Sequence, residues 1–94
     1  MFVLAYEVDL HLPDARSLKA KRQVVRSIVD GARRRFGVAA AEVGYQDQWQ
    51  RAALGFAAVS GSERHAVDIV DEVDRFVWSH PEVQVLSTER RWLA

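Results

Sequence analysis

The chain has 94 residues, no cysteine, and 13 basic against 13 acidic residues. At this length it folds as one domain that buries about 60 to 65% of its unfolded surface, so one core forms and a second copy would be a useful supplement. The missing cysteine excludes disulfides, thiolate catalysis and cysteine-based zinc sites, and an apolar fraction of 49% with 28% charged residues excludes a disordered chain.

The first residues, Met1 to Glu7, carry no basic region and meet a carboxylate at Glu7. They read neither as a signal peptide nor as a membrane span, so the expected location is the cytoplasm, with no membrane partner. Charge is unevenly placed. Ser17 to Phe36 holds seven basic residues (Lys19, Lys21, Arg22, Arg26, Arg33, Arg34, Arg35) against Asp30. Ser62 to Ser79 holds five acids against Arg64 and Arg75. A basic helix and an acidic helix are expected.

Phe2 to Leu12 alternates, with Phe2, Leu4, Tyr6, Val8, Leu10 and Leu12 on one face and Val3, Ala5, Glu7, Asp9 and His11 on the other. This is the period of a half-buried strand. Pro13 to Arg16 breaks it, and Ser17 is placed to cap the next helix. Leu18, Val25, Ile28, Val29, Ala32 and Phe36 then form one apolar stripe, and Gly37 is suited to end the helix with positive φ. Arg33 to Arg35 fall in the last turn, where they suit the negative end of the dipole.

Two alanine-rich runs follow, Val38 to Tyr45 and Ala52 to Ser60, separated by the polar Gln46 to Arg51. They read as a long-tipped hairpin, with alternation too weak to fix the buried face. Ser60 and Glu63 offer a capping box. Ala66, Ile69, Val70, Val73, Phe76 and Val77 make the stripe of a second helix, stopped at His80-Pro81. Glu82 to Trp92 reads as a closing strand, with Val83 and Val85 on one face and Leu86 and Trp92 on the other. The order strand, helix, strand, strand, helix, strand predicts an α+β fold of the ferredoxin-like βαββαβ type: a four-stranded antiparallel sheet with both helices on one face. The other sheet face is left open.

Four constellations bear on function. At about 100° per residue, Lys19, Arg22, Arg26 and Arg33 share a wedge of about 60° beside the apolar stripe, as a phosphate-tracking face or as a solvated one paired through Arg26 and Asp30. Gly55, Phe56, Ala57 and Val59 match part of an RNA-recognition strand, but a basic residue and a second aromatic are missing, and Tyr6 on the large apolar face favours core packing. Glu7, Asp9 and His11 on one strand span about 13 Å, too far to converge on a metal, so no metal is expected. Trp49 in the polar tip, followed by Gln50 and Arg51, is unusual turn chemistry, with the ring either folded back or presented to a partner. With no nucleophile elbow, phosphate loop, HExxH or paired carboxylates in a pocket, neither catalytic residues nor a cofactor are expected.

Asp9 to Pro13, Ser17 to Arg22, Ala41 to Val43 and Asp47 to Ala52 together resemble the YlxP-like family of bacterial proteins, domain of unknown function 503. The resemblance covers nearly the whole chain, and its motifs fall on His11, Pro13, Ser17, Leu18, Lys19, Lys21 and Arg22, and on Glu42, Asp47, Trp49, Gln50 and Arg51. Gln48 stands where an apolar residue is expected. The resemblance implies a small cytoplasmic ferredoxin-like protein with no established activity, a homodimer, in a gene setting of translation and ribosome maturation. The expectation is then a non-enzymatic ribosome- or RNA-associated factor binding through Lys19, Lys21, Arg22, Arg26, Arg33, Trp49, Gln50 and Arg51. The alternatives are a homodimeric interaction module using Ala53, Gly55 and Ala57 on the open sheet face, and a small-molecule-binding regulatory domain resting on fold analogy alone.

Overall fold

The alternating first segment forms β1 (Phe2–His11), and its apolar set, Leu4, Tyr6, Val8 and Leu10, is buried together with Leu12 just beyond it. The computed structural model describes all 94 residues, Met1–Ala94. Helix α1 (Leu18–Phe36) begins at Ser17, whose hydroxyl accepts from the Ala20 amide, and ends at Gly37 in the left-handed region, φ 65°. Both caps fall where the sequence puts them.

The hairpin strands are β2 (Ala39–Gly44) and β3 (Arg51–Ser60), followed by α2 (Glu63–Trp78) and β4 (Gln84–Trp92). The sheet order is β2-β3-β1-β4, every pairing antiparallel, so β1 and β3 are central as the crossover rule requires. In β3 the inward set is Ala52, Leu54, Phe56 and Ala58, which joins Val25, Ile28, Val29 and Ala32 of α1 and Ala66, Val70, Val73 and Val77 of α2 in one core. Each large member contributes about 1.5 to 3 kcal/mol, well above any exposed ion pair here. A Cβ at Gly31 would come within 2.6 Å of the Phe76 ring, so the glycine is what lets α1 and α2 approach there.

Three local expectations are corrected. The cap of α2 is Ser62, which accepts from the His65 amide, while Ser60 accepts from the Ser62 amide in the preceding bend. The register of β4 shifts between Asp9 and Leu10, which pair with Ser87 and Val85 and leave Leu86 in a bulge. That extra residue reverses the alternation beyond it, so Trp92 pairs with inward-facing Leu4 and meets Phe2 edge-on instead of lying opposite Val85. Asp30 pairs with Arg33, not Arg26.

The uncovered face is ordered in rows by the register. Arg91, Ala5, Ala57 and Ala39 form one row, and Glu89, Glu7, Gly55 and Ala41 the next. Ser87, Asp9 and Ala53 form a third.

Candidate functional site

Lys21 corrects the largest expectation. It belongs to the basic run yet is wholly buried, and its Nζ donates to Glu42 Oε2 at 2.9 Å and to the carbonyls of Tyr45, Gln46 and Arg51 at 2.8, 3.1 and 3.2 Å. An ammonium has three N–H bonds, so three donors are shared over four acceptors. Lys21 therefore cannot meet a partner. It ties α1 to both ends of the hairpin tip.

The rest of the tip is tied down in the same way. Gln50 sends its amide to the Pro13 and Ala15 carbonyls at 3.1 and 3.2 Å, and its own carbonyl accepts from the Leu12 amide. Arg51 grips Asp9 through two nitrogens at 2.9 and 2.6 Å and lies over the Tyr45 ring. The hydrogen bond from Arg51 holds the Asp9 carboxyl below its usual range, and the same bond raises the guanidinium. Gln50 and Arg51, expected to face a partner, hold the tip in place instead. Tyr45 takes φ 61°, an uncommon conformation for a bulky residue, with its carbonyl on Lys21.

What the tip presents most fully is Trp49, 54% exposed, beside exposed Gln46, Asp47 and Gln48, while the other exposed ring, Tyr45, lies under Arg51. The side chain therefore points outward. Because Gln50 touches Pro13 and Ala15, and Lys21 touches Tyr45 and Gln46, the tip is fastened to the start of α1 and the segment before it. Exposed Arg16, Lys19, Arg22 and Arg26 lie on that segment and helix, as does exposed Asp14.

None of the ion pairs links α1 to α2. Arg64 pairs with Asp68, Arg75 with Glu72 and Arg90 with Asp71, all outside α1. Lys19, Arg22 and Arg26 form no ion pair. Arg33 is exposed but bonds the Ala40 carbonyl and reaches Asp30. Arg22, Arg26 and Arg33 line a shallow groove of about 380 Å³ between α1 and β2, with Asp30 and Glu42 also in its wall.

The remaining aromatic and polar side chains of the sheet are taken up by the architecture. Phe56 and Tyr6 stack on each other inside, ring centroids 5.9 Å apart, so neither ring is presented for base stacking. Tyr6 donates to Asp74, and burial followed by that bond raises its phenol above the usual range. His11 Nδ1 lies 3.1 Å from Gln84 Oε1, and Asp9 is taken by Arg51. Ala53, Gly55 and Ala57 do lie on the open face, but Ala53 is only 7% exposed, so Gly55 and Ala57 are the accessible pair.

No helix is long and apolar enough to cross a membrane. The fold resembles the solution structure of a de novo designed protein with a ferredoxin fold, with TM-score 0.58 at 12% identity over 100% of this chain and 87% of that one. The sequence is 38% identical over 86 residues to the uncharacterized protein YlxP of Bacillus subtilis (strain 168), covering 92% of this chain and 94% of that protein. Residues 3–90 match the family described as "Protein of unknown function (DUF503)". The chain therefore belongs to the DUF503 family.

Proposed function

We propose that this protein is a non-enzymatic accessory factor that binds RNA, as on a ribosomal particle, through the joined surface of the hairpin tip and α1. The observation that carries the reading is that Lys21, Gln50 and Arg51 immobilise the tip while Trp49 remains outside it and Lys19, Arg22 and Arg26 remain without acidic partners. A non-glycine residue at positive φ costs on the order of 1 to 3 kcal/mol, and such strain clusters where shape serves binding. Here it falls on Tyr45, within the tip. Cosedimentation with ribosomal subunits at low salt, followed by a salt titration, tests the reading. Binding that falls linearly on a log-log salt plot is expected. Absence of binding at low salt ends it.

A second reading, self-association through the open sheet face, is supported by the row pattern. Ala5, Ala57 and Ala39 adjoin Gly55 and Ala41, which permits close approach, and Arg91 lies two residues from Glu89 on the same strand. An isologous two-fold axis between those rows would set Arg91 against the partner's Glu89 and reciprocally. A Gly55→Glu variant would then remain monomeric by light scattering at concentrations where the parent dimerises. A parent that stays monomeric throughout removes this reading.

A further inference from the structure

The geometry points to a narrower ligand class, resting on the RNA reading above: an RNA that offers an unpaired base to Trp49 while its backbone runs along α1. The tip exposes two rings, Trp49 at 54% and Tyr45 at 40%, but Arg51 lies over the Tyr45 ring, so Trp49 is the one left uncovered, and the exposed side chains just before it, Gln46, Asp47 and Gln48, are all polar. Protein hot spots place an aromatic anchor within a surround of contacts that exclude water. An uncovered ring beside amides and a carboxylate fits a base instead, since stacking uses the ring face while planar polar groups meet the base edge.

The ring is also rigidly mounted. The carbonyls of Tyr45, Gln46 and Arg51 converge on the single Lys21 nitrogen, and the residue after Trp49 is held by two side-chain bonds and one backbone bond. A ring mounted on such a frame loses little freedom when a base covers it, so more of the stacking energy appears as affinity. A base within a continuous duplex already has both faces covered. Paired RNA could therefore contact the cations of α1 but would leave Trp49 unused. Lys19, Arg22 and Arg26 lie on the helix that the tip is fastened to, so one strand can meet both features.

The test uses the full chain and two fluorescein-labelled RNAs of equal nucleotide count, a stem with an unpaired loop and a blunt, fully paired duplex, measured by anisotropy at one low salt concentration. The loop RNA is expected to bind roughly 5- to 150-fold more tightly, the range for stacking one base. Trp49→Ala should bring the loop RNA to the level of the duplex, and Trp49→Phe should keep most of the preference. Equal affinity for the two RNAs, or a preference that survives Trp49→Ala, overturns the inference. If the two bind equally and neutralising Lys19, Arg22 and Arg26 weakens both, the surface reads backbone only, and the broader proposal stands without this one. If neither RNA binds, both fall.

Discussion

Replacing Lys21 with methionine is expected to destabilise the protein by about 3 to 5 kcal/mol, the range for removing one partner of a buried ion pair. Methionine keeps an unbranched apolar stem one heavy atom shorter than lysine, so most of the packing is retained and the loss is mainly electrostatic. The Glu42 carboxylate, whose side chain is 17% exposed, loses its cation, and the three carbonyls of Tyr45, Gln46 and Arg51 lose their shared donor. A domain of this size has only about 5 to 15 kcal/mol in total, so the variant sits near or below the folding threshold. Chemical denaturation with the midpoint read by far-UV circular dichroism checks the magnitude. Adding Glu42→Gln to Lys21→Met removes the uncompensated charge and should recover part of the loss, which separates burial of an unpaired carboxylate from loss of tip geometry. A Lys21→Met variant with the parental midpoint would show that the tip does not depend on the clamp.

The burial of Lys21 was open to view in the periodicity. Taking Leu18 as zero and about 100° per residue, Lys21 falls near 300°, between Ile28 and Ala32 on the apolar stripe, whereas Lys19, Arg22, Arg26 and Arg33 fall between about 40° and 100°. A lysine on the inward stripe needs an acceptor, and Glu42 on the alanine-rich strand is the acid that supplies it. Grouping the basic residues by charge alone hid this difference. The first strand and both helices were legible because each presents a long stripe with a single period. By contrast, the carbonyls that complete the Lys21 site come from a loop, and no side-chain pattern announces where a loop's carbonyls will converge.

The strand β4 failed for a different reason. Its alternation is correct up to Val85 and again from Ser87, but the bulge at Leu86 inserts one residue, and a period of two cannot survive an odd insertion. Every residue of β4 except Val85 is exposed, so the hydrophobic pattern held too few anchors to reveal the slip. The cap of α2 was displaced by two residues because Ser60 and Ser62 both carry the right hydroxyl. Only the backbone path through Gly61 decides which serine stands at the helix entrance. At the site, the special composition of the tip was legible, but the division of labour within it was not. Gln50 and Arg51 read as partner-facing because they adjoin Trp49, yet their partners, Pro13, Ala15 and Asp9, are distant in sequence.

Changing Lys19, Arg22 and Arg26 together to glutamine is expected to remove most of the salt-sensitive affinity for RNA without unfolding the protein. These three form no ion pair and are exposed, and surface changes of that kind usually stay within about 0.5 kcal/mol of the parent. Each cation that neutralises a phosphate on a single strand contributes about 0.7 to the log-log salt slope, so the triple variant should be shallower by about 2. Over a fourfold rise in salt, that slope difference means the parent loses roughly 20-fold more affinity than the variant. Lys21 offers an internal comparison. Lys21→Met removes one positive charge from the same helix, but through loss of the tip it should lower stability and binding together, whereas the triple variant lowers binding alone. A triple variant that binds with the parental salt slope would place the phosphate contacts elsewhere, with Arg33 and Arg34 next in line on the exposed side of α1.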